Sequence, residues 1–181
     1  MTRRGAPAFD VRAAQPGEED AIARVCRAGF AESSAGLLPP DVIDLQARHY
    51  YDVERLRREL APQPHDPSWQ GYVVAVSRDD EVLGAAGGGV IDERVGHVLV
   101  LYLDPALRGH GIGTALLDHV TAQQLAVGAT EQWVSVTEGN ELGIPFYLAR
   151  GFVVRGRVPY VPVRGGAPVA TSLRMSRDIR P

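Results

Sequence analysis

The chain of 181 residues is 45% apolar and carries a formal net charge of −3. That size and apolar content suit one domain with a sizeable core, and the negative balance removes the electrostatic case for a nucleic-acid or anionic-membrane partner. The longest apolar run, Val98 to Leu103, is far too short to span a membrane, and one cysteine, Cys26, leaves no internal disulfide.

In chain order, Met1 to Pro7 holds two arginines with no apolar stretch behind them, so no signal peptide is expected. Together with the lone cysteine this points to a reducing, cytoplasmic setting. Phe9 to Arg12 reads as a short strand. Pro16-Gly17 then breaks the chain before an amphipathic helix, Glu18 to Phe30, with Ile22, Val25, Cys26 and Phe30 on one side. Cys26 on that face reads as a small buried hydrophobe. Helices are expected near Asp41 to His49 and Val53 to Leu60, followed by a Pro-rich loop through Pro62, Pro64 and Pro67. Gly71 to Ser77 and Val82 to Ile91 flank the turn Arg78-Asp79-Asp80-Glu81 as a hairpin. His97 to Leu103 is a buried strand and Ile112 to Val127 a long helix. Gln132 to Val136, Phe152 to Arg155 and Val169 to Met175 complete the strands. No repeat, linker or low-complexity run interrupts this mixed α/β order. All 19 basic side chains are arginine, as codon bias in a GC-rich, bacterial-type genome produces.

The chemistry concentrates after the strand His97 to Leu103. Asp104-Pro105 turns the chain, and Arg108-Gly109-His110-Gly111-Ile112-Gly113-Thr114 places three glycines in five positions before an apolar helix. Such a loop presents backbone N–H groups at a helix start, where the macrodipole favours an anion, and glycines allow close approach. A P-loop requires Gly-Lys-Ser/Thr, and the chain has no lysine. A dinucleotide fingerprint requires its third glycine where Thr114 stands, directly after the strand rather than five residues on.

The loop resembles the acyl-CoA loop of the GCN5-related N-acetyltransferase (GNAT) superfamily, Gln/Arg-x-x-Gly-x-Gly/Ala, preceded by the strand end Leu101-Tyr102-Leu103-Asp104-Pro105. A second signature of that family follows some thirty residues later, in Asn140, Phe146-Tyr147 and Gly151-Phe152. The resemblance covers about residues 72 to 155. It implies a strongly twisted, mostly antiparallel mixed sheet of about seven strands, flanked by helices, whose central strands splay apart. It also implies a single domain over residues 1–181, with a helical acceptor-side region at about 18–70 and an acyl-CoA core at about 71–155.

By the same resemblance, acetyl-CoA is the co-substrate. Leu101, Tyr102 and Leu103 would offer an open strand edge to its pantetheine arm, and Arg108, Gly109, His110, Gly111, Ile112, Gly113 and Thr114 would hold its pyrophosphate. Tyr147 stands at the family's general-acid position. Asn140 lies at the turn before a helix that Pro145 confines to a start near Gly143 or Ile144, free to cap it or to touch the cofactor. The base is open. His97 matches the position of a glutamate in one branch of the family, six residues before the strand end, and Asp92, Glu93, Glu138 or ordered water compete for the role.

The acceptor side falls to residues 31–70 and a 156–168 loop. Glu32, Asp41, Asp44 and Glu54 there are balanced by Arg48, Arg55, Arg57 and Arg58, as on a solvated helix face. Arg155, Arg157, Arg164, Arg174, Arg177 and Arg180 read as solvated strand and loop residues. His49 and His65 belong to no cluster of metal-ligand spacing, so no metal is expected. The expected function is acetyl transfer to a primary amine, first of a small molecule and alternatively of a protein or peptide N-terminus. A catalytically silent acyl-CoA-binding module is the non-enzyme reading, and a homodimer is compatible with the sequence.

Overall fold

A computed structural model describes residues 8–62 and 66–180; Met1 to Pro7, Pro64 and His65, singled out above, lie outside the described residues. Seven strands form one sheet in the order β1-β2-β3-β4-β5-β7-β6. The strands are β1 (Phe9–Ala13), β2 (Tyr72–Ser77), β3 (Val82–Asp92), β4 (Val95–Leu103), β5 (Glu131–Thr137), β6 (Val153–Tyr160) and β7 (Ala170–Asp178). The helices are α1 (Glu19–Ser34), α2 (Pro40–Tyr50), α3 (Val53–Leu60), α4 (Ile112–Ala126) and α5 (Gly143–Leu148). Every pairing is antiparallel except β4 with β5. A mixed, mostly antiparallel sheet of this size was expected.

Local chemistry sets the element ends. Gly17 takes φ +100° before α1, and Glu18 then pairs with Arg12 of β1 at 2.7 Å, pinning the helix start to the sheet edge. Pro40 opens α2, where a missing N–H costs nothing. The Asp52 side chain caps α3 by accepting from Arg55 N at 2.9 Å. Asp80, at φ +59°, turns the β2–β3 hairpin. Two apolar layers cover the sheet. Ile112, Leu116, Leu117 and Val120 of α4 meet Val98, Val134 and Met175 on one face. On the other, Ile22, Val25 and Cys26 of α1 and Leu56 of α3 meet Val74 and Ala85. Each large aliphatic side chain buried there contributes about 1.5–3 kcal/mol relative to exposure. Cys26 is fully buried and its thiol is pushed up by desolvation, as befits an inert core residue.

The glycines of β3 were not read as a signal, yet they set the geometry around the site. A Cβ on Gly89 would lie 2.1 Å from the Ser68 carbonyl oxygen, and one on Gly87 would lie 2.6 Å from the Trp69 ring. The connection before β2 therefore lies directly on the sheet, held by Gln70 N–H to Gly88 O (2.8 Å) and Val90 N–H to Pro67 O (2.6 Å). Between Gly87 and Gly88 the register with β4 shifts, from Gly87↔Val100 to Gly88↔Val98, leaving Leu99 as an extra residue. This bulge bends β4. Buried Gln124 of α4 fixes it, donating to His97 O at 2.9 Å and accepting from Gln132 Nε2 at 2.8 Å. Gly96 leaves the room Gln124 needs, since a Cβ there would strike its amide at 2.3 Å.

Boundaries differ from expectation mainly at the C-terminal end. β6 continues through Gly156 and Pro159 to Tyr160, because β7 pairs with it as far as Tyr160↔Ala170. The expected 156–168 loop is thus shortened to residues 161–169. Proline is accommodated because β6 is the sheet's edge. β4 also starts two residues before His97, α1 continues past Phe30 to Ser34, and β7 runs to Asp178.

Gly89→Ala should lower the unfolding free energy by about 1–3 kcal/mol, since the methyl meets backbone that has nowhere to go. Gly156→Ala, with open space around it, should be neutral or stabilise by up to about 1 kcal/mol. Urea unfolding of both variants checks the contrast.

Candidate active site

The parallel ladder between β4 and β5 runs only from Val95↔Glu131 to Val98↔Val134. Beyond it β4 follows β3 to Leu103, whereas β5 follows β7 through Thr137↔Ser172. The strands part at the bulge, and the opening continues into a cavity of about 1240 Å³ lined by Val98–Leu103 and Val134–Thr137. Leu99–Leu103 therefore presents its β5-facing edge with no strand upon it, the splay implied above.

The glycine loop closes one end. Asp104 accepts from Ala106 N at 2.9 Å and starts a single 3₁₀ turn, Pro105–Leu107. Gly109 and Gly111 take φ +77° and +85°, a left-handed conformation that any side chain would strain. Gly111 is the N-cap of α4 and offers no capping side chain, and the first backbone bond is Ala115 N–H to Gly111 O at 3.0 Å. The N–H groups of Ile112, Gly113 and Thr114 are left without partners inside the helix, at its positive end. Gly113 faces Phe146, whose ring would lie 3.1 Å from an added Cβ.

Of the twelve residues expected to hold the cofactor, eleven line the cavity: Leu101, Tyr102, Leu103, Arg108, Gly109, Gly111, Ile112, Gly113, Thr114, Asn140 and Tyr147. His110 does not; its Nδ1 lies 3.1 Å from Leu107 O, within the loop itself. The Arg108 guanidinium is paired with Glu32 of α1. Asn140 closes the turn into α5, its Oδ1 accepting from Leu142 N (3.0 Å) and from Gly143 N (2.8 Å), the first residue of the helix. Arg150 was not singled out. It stacks 3.7 Å from the Phe146 ring centre, donates to Phe146 O at 2.8 Å and meets the Thr114 hydroxyl, joining the end of α5 to the start of α4.

Tyr147 is buried on α5, edge-to-face with Phe146 (5.1 Å) and Phe152 (5.2 Å). Burial pushes its phenol well above the usual range, and the charge of Arg150 opposes that shift. None of the four base candidates lines the cavity. His97 stands one residue short of it; because Gly96 and Val98 face α4, strand alternation puts His97 on the opposite, α1 face. Burial lowers its pKa, the charge of Arg174 adds to that, and Asp92 opposes both. Glu138 is paired with Arg157 at 2.7 Å on the surface, and Asp92 and Glu93 are exposed at the β3–β4 turn.

Aromatic side chains from the first half of the chain and from β6 also line the cavity. Phe30, Tyr50, Tyr51, Trp69, Tyr72 and Tyr160 border it. Phe30, Tyr51 and Tyr102 lock edge-to-face at 5.9–6.5 Å, and Trp69 meets Tyr72 at 5.0 Å. Gln46 of α2 joins Tyr160 Oη (2.9 Å) and Val163 N–H (3.0 Å), fastening the β6–β7 connection to α2. None of Glu32, Asp41, Asp44 or Glu54 lines the cavity. Among the described lining residues Glu59 is the one carboxylate, and Arg55 holds it at 2.7 Å. These residues are scattered over four elements and carried no spacing to read; the glycines of β3, which admit Trp69, were the available signal.

Tyr51, Tyr72, Tyr102 and Tyr147 all have phenols raised by burial. In the unfolded chain they release protons near pH 10, and in the folded protein they keep them. The phenols' share of stability should be fully present below about pH 10 and fall above it, by about 1.4 kcal/mol per pH unit for each phenol, in addition to the fall that the buried Cys26 thiol begins at about pH 8.5. Tyr147→Phe should remove one phenol's share of that slope, measured by urea unfolding between about pH 9 and 11.

Residues 40–152 match the model of the Acetyltransferase (GNAT) family. The peptidyl-lysine N-acetyltransferase YjaB of Escherichia coli is 32% identical over 113 residues, which is 62% of this chain and 66% of the relative. Its Salmonella typhimurium counterpart is 37% identical over 106 residues, 59% of this chain and 62% of the relative. The chain thus spans just under two thirds of the length of these relatives. Among solved structures, the PaiA N-acetyltransferase of Thermoplasma acidophilum in complex with coenzyme A superposes with a TM-score of 0.79 at 20% identity, covering 94% of this chain and 99% of that one, a likeness of fold. With the family model spanning more than half of the sequence, the chain belongs to the acetyltransferase (GNAT) family.

Proposed function

We propose that this protein transfers an acetyl group from acetyl-CoA to a primary amine by direct attack in a ternary complex. The observation that carries the reading is that one cavity joins an uncapped glycine helix start, an open strand edge and a buried phenol. The cavity fits such a cofactor: about 1240 Å³ exceeds the usual range for a drug-sized ligand, and open space lies around Gly109 and Gly111.

In this reading the N–H groups after Gly111 bind the pyrophosphate, and Arg108 adds charge once it leaves Glu32. The backbone of Leu101–Leu103 bonds the pantetheine amides in the manner of an added strand. The co-substrate supplies an activated thioester. Tyr147, protonated at neutral pH as any phenol is, donates its hydroxyl proton to the departing thiolate, and the charge of Arg150 offsets part of the cost that burial places on the phenolate left behind. His97, held neutral by burial and Arg174, accepts the amine proton through a water that spans the gap to the cavity.

The acceptor is read as a small molecule because rings wall the cavity and Gln46 fastens the β6–β7 connection to α2 beside it. A peptidyl-lysine acceptor is the second reading, favoured by the names of both YjaB relatives. Family membership favours a catalyst over a silent binding module, which has no use for a phenol at the sulfur.

Tyr147→Phe should lower turnover by about a hundredfold or more with CoA affinity unchanged, followed by thiol release and calorimetry. Gly111→Val should abolish measurable CoA binding, since the left-handed cap conformation is lost. Equal CoA affinity of Gly111→Val and wild type would overturn the cofactor assignment, and turnover within about twofold for Tyr147→Phe would make the phenol a packing group.

For the base, kcat/KM should fall in acid along a limb below the ordinary histidine value of about 6.5, because His97 is held neutral down to a lower pH. His97→Gln should remove the limb. A limb that survives the substitution and moves with acceptor basicity would instead assign proton removal to water alone.

A further inference from the structure

Resting on the transfer reading above, we infer that the preferred acceptor is a monoamine carried on a flat apolar body, an arylalkylamine, and that Trp69 and Phe30 select it. Six aromatic side chains from α1, α2, β2, β6 and the segments between border the cavity, besides the rings on β4 and α5. Rings locked edge-to-face present their remaining faces without the entropy cost of flexible side chains. Trp69 in particular is built in: its ring lies against Gly87, at a spot where any larger residue would collide with it.

Charge argues the same way. A polyamine or an aminoglycoside carries several cations and needs several carboxylates. Among the described lining residues there is Glu59, already satisfied by Arg55, set against three arginines in the cavity as a whole, Arg55, Arg108 and Arg150. With that carboxylate already paired, a single ammonium is met by aromatic faces through cation–π attraction, and a second or third cation finds no counter-ion among the described lining residues. The Tyr160–Gln46–Val163 bridge argues against a polypeptide laid beside Tyr160, because it joins α2 to the β6–β7 connection there.

The test compares 2-phenylethylamine, n-butylamine, spermidine and an Nα-blocked lysine peptide as acceptors of the full-length protein, by thiol release. Calorimetry of each amine into the CoA-loaded protein runs alongside. The expected result is a kcat/KM for 2-phenylethylamine at least tenfold above the other three. In Trp69→Leu and, separately, Phe30→Leu, that preference should shrink to about threefold or less while CoA affinity is retained. Retained CoA affinity shows the variant is folded. Equal or better use of spermidine or the lysine peptide would overturn the inference and leave the transfer reading standing. So would an equal loss for all four acceptors in both variants. Selective binding of 2-phenylethylamine, lost in Trp69→Leu, without thiol release from any amine would keep the aromatic selection and overturn the transfer reading.

Discussion

The parting of β4 from β5 after four paired residues is the constraint on which the rest of the structure depends. A continuous parallel ladder would bury the edge of Leu99–Leu103 and leave no cavity. The parting is produced by an extra residue, Leu99, and held by one fully buried amide. Gln124 satisfies the His97 carbonyl that the bulge displaces, and Gln132 of β5 satisfies Gln124 in turn. An unpaired carbonyl or amide at that depth costs about 1–3 kcal/mol, so the network fixes a single geometry. Gly88 and Gly96 are the space this arrangement requires.

Once the strands separate, two chemistries meet across one opening. The backbone of the glycine loop and the start of α4 offer partial positive charge from fixed dipoles, at little cost in side-chain order. To the same opening α1, the α2–α3 region and the 66–70 segment bring rings. Tyr147 lines the same opening, on a helix whose first residue bonds the Asn140 side chain and whose C-terminal Arg150 meets Thr114. A charged contact, Arg108 with Glu32, links the loop to α1 across the same opening. The two halves of the site are therefore coupled through packing, and neither is built from one contiguous segment.

The sequence by itself determined the order of elements, the left-handed glycine loop before α4 and the placing of Tyr147 on a short helix after Asn140, because each is written in local chemistry. Turn residues, helix period and left-handed glycines act within a few neighbours, so Asp104-Pro105, Gly109 to Gly113 and Asn140 to Phe152 were legible as read. The tertiary structure decided what depends on contacts distant in sequence. It carried β6 on to Tyr160 through its pairing with β7, against the local signals of Gly156 and Pro159. It held His97 just outside the cavity wall, paired Glu32 with Arg108, and brought Glu59 rather than its exposed acidic neighbours to the site. It gathered Phe30, Tyr51, Trp69, Tyr72 and Tyr160 into one wall. No spacing rule joins residues that far apart in sequence; only the long-range pairing of strands and the burial of two opposed faces bring them together.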